Sequence, residues 1–211
     1  KFSIDFLDNP KLRSWETEWN KNSKEAFRVL FKSIIDETQE YLRTTYKLIT
    51  NNSSDFELVD KVVIPGVGSF RDGMQELSKD GFIKRLKEFE KPILGICLGM
   101  QILSDLGFEF GKTRGLKMID AEVRPILCEA KIPHMGFNRI NVINQNKLLE
   151  GVESEEFYFM HSYELVNYTD IIALTKYNDH SFVSAVHRGN LYGVQFHPEK
   201  SREAGIKLLS N

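Results

Sequence analysis

The chain has 211 residues, a length that one hydrophobic core can organise, since single cores extend to about 250 residues. Hydrophobic residues make up 41% and charged residues 27%, enough apolar surface to offset the entropy of ordering, which excludes a disordered tail. The 28 basic and 30 acidic side chains nearly cancel, so no global field draws the molecule to nucleic acid or to an anionic membrane.

No run of about 18 apolar residues occurs, and Lys1 to Asp8 lacks the basic-then-apolar layout of a secretory leader. The expectation is a cytoplasmic protein with neither a nucleic-acid nor a membrane partner. Cys97 and Cys128 are too few for a disulfide scaffold and suit reduced thiols.

In chain order, Phe2 to Leu7 reads as an opening strand, and Ser23 starts a helix whose apolar residues from Ala26 to Leu42 recur on one face. Tyr46 to Thr50 and Lys61 to Pro65 read as strands, the second a continuous apolar run suited to a sheet covered on both faces. A helix pair is expected from Asp72 to Glu90, a strand from Pro92 to Ile96 and a helix from Leu98 to Leu106. This places Cys97 at a join between strand and helix. Beyond Gly107 strand signals dominate, at Met118 to Arg124, Arg139 to Ile143, Phe157 to Met160, Ile171 to Thr175, Phe182 to His187 and Leu191 to Gln195. Arg188-Gly189-Asn190 reads as a hairpin turn, and Arg202 to Leu209 as a closing helix. With no repeat or linker, residues 1–211 read as one three-layer α/β domain, its central sheet mostly parallel with an antiparallel portion in the second half.

Gly95-Ile96-Cys97-Leu98-Gly99 has the glycine spacing of a nucleophile elbow, where a strand turns sharply into a helix and exposes one side chain. The free N–H groups of that helix favour a thiolate and offer hydrogen bonds to a developing oxyanion. Cys97 reads equally as a small buried hydrophobe, and the pentapeptide alone does not choose. His197-Pro198-Glu199 follows a strand, and the proline stiffens a turn that holds a base beside a carboxylate able to orient it. An exposed turn is the plain alternative, and one histidine with one carboxylate is too few ligands for a metal. Each motif is weak by itself; together they define a Cys-His-Glu triad. Pro65-Gly66-Val67-Gly68 suits either an oxyanion loop or a tight strand-to-helix turn. His161-Ser162-Tyr163 is either a polar strand end or a segment presenting backbone groups to a polar substrate.

Val62-Val63-Ile64-Pro65-Gly66-Val67-Gly68-Ser69-Phe70, Gly95-Ile96-Cys97-Leu98-Gly99-Met100-Gln101 and Gly193-Val194-Gln195-Phe196-His197-Pro198-Glu199-Lys200-Ser201, with Pro133-His134-Met135-Gly136-Phe137-Asn138 and Phe157-Tyr158-Phe159-Met160-His161-Ser162-Tyr163, resemble the class I, triad-type glutamine amidotransferases. Within them, the likeness is greatest to glutaminase subunits of imidazole glycerol phosphate synthase, from about Tyr46 to the C-terminus. The resemblance implies a flavodoxin-like fold of that family, with Cys97 as nucleophile, His197 as general acid and base, and Glu199 as its orienting acid. It implies that Leu98 N–H and a peptide N–H of the Gly66, Val67, Gly68 loop hold the oxyanion, and that Gln101, His161, Ser162 and Tyr163 hold L-glutamine. It implies no metal or organic cofactor, and a heterodimer with a (βα)8-barrel cyclase that takes up the ammonia in histidine biosynthesis.

The sequence departs from the family at its start, where about 45 residues precede the second strand instead of about 25 for an ordinary βαβ unit. Asp8-Asn9-Pro10 stands in place of a glycine-rich loop, Trp15 and Trp19 lie in an added polar stretch, and Phe137 stands where the subfamily commonly has tryptophan. Two other readings accompany these departures: a paralogous glutaminase feeding a sugar-amidating synthase for surface polysaccharide, and a catalytically silent regulatory or scaffold subunit.

Overall fold

The computed structural model describes residues 56–57, 59–66, 68–79 and 81–211. The chain divides into two units, Lys1–Thr50 and Asn51–Asn211, and the described residues belong to the second. The elements expected at Phe2 to Leu7, from Ser23 to Leu42 and at Tyr46 to Thr50, and the residue Val67, lie outside the described residues. Among the described residues, no helix is long and apolar enough to cross a membrane.

The first half comprises β1 (Val62–Ile64), α1 (Phe70–Leu77), α2 (Phe82–Glu88), β2 (Ile93–Ile96) and α3 (Leu98–Ile102). There follow β3 (Leu106–Gly107), β4 (Thr113–Arg114), β5 (Glu122–Pro125), β6 (His134–Val142) and β7 (Glu156–His161). The chain ends with β8 (Tyr163–Val166), β9 (Ile171–Tyr177), β10 (His180–Arg188), β11 (Leu191–Val194) and α4 (Arg202–Ser210).

Seven strands form one mixed sheet in the order β1-β2-β11-β10-β9-β6-β7. β1, β2 and β11 run parallel; the remaining neighbours are antiparallel. Connection length explains the division: α1 and α2 carry the chain from β1 back to β2, whereas β10 turns directly into β11 at Gly189. The α/β architecture with an antiparallel second half therefore follows the sequence expectation, the parallel part among the described residues being three strands. A smaller sheet, β4-β3-β5-β8, lies beside it. β7 belongs to the large sheet and β8 to the small one, so the chain changes sheets at Ser162.

The helix expected from Leu98 to Leu106 ends at Ile102, because Leu106 and Gly107 pair with β4 and β5. Leu98, Ile102 and Leu106 keep helical spacing, but strand pairing claims the last of them.

Beneath the start of α3 the core is aromatic. Phe157, Phe159, Phe182 and Phe196 are buried, and the Phe157 and Phe196 rings lie 4.1 Å apart. Helix α3 sits against β1 so closely that a Cβ on Gly99 would fall 1.7 Å from the Ile64 carbonyl oxygen. Gly99→Ala is expected to cost about 3 kcal/mol by forcing helix and strand apart. Urea unfolding checks this, through a lowered midpoint at unchanged slope.

Candidate active site

Cys97 ends the strand pairing of β2, its N–H donating to the Val194 carbonyl over 2.7 Å, and α3 begins at the next residue. Its backbone stands at φ 51° and ψ −108°, outside the regions an L-residue ordinarily occupies. Flanking strands and the tight helix contact hold that strained bend. The Leu98 N–H opens the helix and has no partner within its first turn, so it is free to meet an anion above the sulfur.

The imidazole comes from the turn after β11. His197 N–H donates to the Tyr158 carbonyl over 2.8 Å, and Ser201 Oγ both donates to the His197 carbonyl and accepts from Tyr158 N–H, at 2.6 and 3.0 Å. The turn is thus fastened to the edge of β7. His197 Nδ1 and Glu199 Oε1 lie 2.7 Å apart, both side chains almost fully buried. The buried Nε2 has no hydrogen-bond partner among the described residues, and the ring lies near enough to Cys97 for the sulfur to act on its charge. Burial opposes a charge on the ring, but the Cys97 sulfur and the Glu199 carboxylate outweigh it and push His197 up to about 10. The arrangement is a thiol beside a basic imidazole, with a carboxylate behind it. Its bonds need only tighten around substrate for proton transfer.

Cys97, Leu98, Gln101 and His197 line one cavity of about 250 Å³. Gly66 and Gly68 form its opposite lip; Gly68 has a φ of 113°, which a side chain would strain. His161, Ser162 and Tyr163, at the change of sheets, form a third wall. Gln101 Nε2 donates to the Tyr163 carbonyl over 2.9 Å, and His161 Nδ1 donates to the same oxygen over 2.9 Å. Burial pulls His161 down to about 3, so it stays neutral beside the His197 imidazolium. The structure therefore brings together the described candidates for catalysis and substrate binding: Gly66, Gly68, Cys97, Leu98, Gln101, His161, Ser162, Tyr163 and His197 around the cavity, with Glu199 behind the imidazole.

Sequence reasoning gave no role to three contributors. Glu109, in the loop after β3, lines the cavity and accepts from the Phe70 N–H over 2.7 Å at the start of α1; burial raises its carboxyl. No local pattern announces it. His134 on β6 stands 3.2 Å from His161, and its register opposite His161 is legible only once the two strands are known to pair. Ser201 lies two residues beyond Glu199, but its two hydrogen bonds depend on β7, far away in sequence.

A family described as Glutamine amidotransferase class-I matches residues 27–211. The imidazole glycerol phosphate synthase subunit HisH 1 of Campylobacter jejuni is 40% identical over 170 residues, which span 77% of this chain and 85% of that protein. The corresponding HisH subunit of Pelagibacter ubique is 37% identical over 191 residues, 85% of this chain and 91% of its own. A putative GMP synthase protein from Thermoplasma acidophilum shares the fold, with a TM-score of 0.62, 23% identity and coverage of 82% of this chain and 83% of that one. The strained thiol, the buried imidazole and the acid behind it thus occur in a chain that belongs to the class I glutamine amidotransferases, among the glutaminase subunits of imidazole glycerol phosphate synthase that serve histidine biosynthesis.

Proposed function

We propose that Cys97, His197 and Glu199 carry out the glutaminase half-reaction and that the ammonia passes to a (βα)8-barrel cyclase subunit. The observation that carries this is the Cys97 and His197 pair at the floor of a cavity roomy enough for an amino acid. The Cys97 thiolate forms a bond to the glutamine side-chain carbonyl carbon, and the oxyanion accepts from Leu98 N–H and the Gly66 to Gly68 loop. On collapse the C–N bond breaks, and His197 gives its proton to the departing ammonia. Water then loses a proton to His197 as its oxygen bonds to the thioester carbon. The C–S bond breaks, its electron pair returns to sulfur, and glutamate leaves.

Glu109 supplies the one carboxylate on the cavity wall among the described residues and pairs with the substrate α-ammonium. Glu109→Gln is expected to raise the KM for glutamine about tenfold or more with a smaller change in kcat, measured by steady-state glutamate release.

The barrel partner docks beside the His197 turn. There Phe137 lies edge to face with Tyr158, Arg202 stands 4.6 Å over the Phe137 ring, and Lys200 stands 5.9 Å from the Tyr158 ring. An aromatic surface with cations next to the thiol is where ammonia needs an exit covered from water. Residues 1–211 act as one glutamine amidotransferase domain in the cytoplasm, a reading supported by a family match that reaches back to residue 27 and by two free cysteines.

The test is co-purification with the cyclase subunit encoded in the same organism, followed by glutamine-dependent formation of imidazole glycerol phosphate. Product with the pair, and none when the cyclase is replaced by a sugar-amidating synthase, is expected. The reverse pattern would transfer this chain to the other synthase.

A further inference from the structure

Behind the nucleophile lies a buried amide whose orientation is fixed by its partners. The Tyr163 carbonyl oxygen only accepts, so the Gln101 side-chain atom 2.9 Å from it is the donating Nε2. The same Nε2 lies 3.0 Å from Gln195, so the Gln195 atom it meets is Oε1. That leaves the Gln195 Nε2 facing Cys97 Sγ at 3.6 Å. Gln195 has no exposed surface, and its backbone N–H is tied to the Ser184 carbonyl over 2.9 Å, so the amide has no solvent into which to turn.

We propose that Gln195 is a positioning residue for the nucleophile: its side-chain amide, locked by Gln101 and the Tyr163 carbonyl, presents a fixed N–H donor to the Cys97 sulfur. A donor aimed at sulfur strengthens as negative charge gathers there. It therefore favours the attacking thiolate over the thiol and, when the thioester C–S bond breaks, the sulfur that takes back the electron pair. The other groups facing the sulfur are His197, with Glu199 behind it, the Met160 carbonyl at 3.8 Å, and, across the cavity, neutral His161 and Glu109. His197 meets the sulfur from the mobile-proton side, whereas Gln195 keeps its hydrogens. The chain from Tyr163 through Gln101 and Gln195 to Cys97 also joins the wall that holds substrate to the reacting atom.

The inference rests on Cys97 as nucleophile, and the experiment separates the two. Full-length chain with its synthase partner is treated with iodoacetamide across a pH series, Cys97 alkylation is read by peptide mass, and glutamine hydrolysis is read in parallel. In Gln195→Leu the donor is gone; in Gln195→Glu the acceptor for Gln101 and the side-chain volume remain, but an oxygen replaces the donor. Both variants are expected to move the midpoint of Cys97 alkylation, which belongs jointly to Cys97 and His197, upward by about one pH unit or more. At neutral pH kcat is expected to fall about tenfold or more and to recover partly as pH rises. Folded variants, judged by thermal melting, that keep the unaltered midpoint would overturn the role of Gln195 alone. Loss of the fold in both would make Gln195 structural and overturn it too. Wild-type enzyme that keeps hydrolysing glutamine after Cys97 is fully alkylated would overturn the nucleophile and this inference together.

Discussion

Cys97→Ala is expected to lower glutamine hydrolysis by the complete synthase about 100,000-fold, because Cys97 carries the one thiol on the cavity wall among the described residues. The substitution removes only Sγ and keeps the Cβ, so the strained backbone at φ 51° is unchanged and the fold should survive. It does leave the Gln195 amide without the sulfur it faces and removes the sulfur's effect on the His197 ring, a modest loss of stability. Acceptor chemistry driven by added ammonium salt should persist in the same preparation, since the partner's reaction needs ammonia and not the thiol. Steady-state glutamate release with and without ammonium distinguishes this from general damage. Hydrolysis within tenfold of the unaltered rate would mean that the thiol is not the nucleophile and that its bend survives only as structure.

Glu199→Gln should cost about 10,000-fold in kcat, the scale seen when the acid behind a catalytic histidine becomes an amide. The amide can offer N–H to Nδ1 and so select the wrong tautomer, and it withdraws one of the two charges that push His197 up to about 10. The sign of the pH effect follows. His197 is raised above its ordinary 6.5, so the stabilisation from its charge is fully present below that value and is lost as pH rises through about 10. With glutamine at position 199 the loss should begin at lower pH. Unfolding measured between pH 6.5 and 10 should therefore show a smaller decline in the variant than in the native chain, and the alkaline limb of residual activity should move down. An unchanged limb would mean that the sulfur alone holds the proton on His197.

Much of the site was legible because its chemistry is local. A glycine on each side of Cys97 marked the elbow, and Pro198 between His197 and Glu199 marked a stiff turn, since both are short-range consequences of backbone sterics. What the residues did not show is what two distant strands bring together. Glu109 reaches the cavity only because α1 starts where its carboxylate can accept the Phe70 N–H, and no spacing in the sequence encodes that meeting. Gln195 stood in a quoted motif without a role of its own, because its meaning lies in Gln101 and Tyr163. The overlong helix after Cys97 had a similar origin: Leu106 kept the helical period, and pairing with Glu122 decided otherwise. The stretch from His134 to Phe137 read as a motif, and its place in a nine-residue strand depended on β7 lying alongside. Sheet order was equally opaque, because the strand that lies between β2 and β10 is the last one in the chain.

Labelling with a chloroketone analogue of glutamine tests the central claim most directly, since the analogue fills the substrate cavity and transfers its carbon to a thiolate as chloride leaves. The synthase complex should take up one label per glutaminase chain, on Cys97 and not on Cys128, with glutamate release falling in proportion and glutamine protecting. Label on Cys128, or full hydrolysis after Cys97 has been labelled to completion, would contradict it.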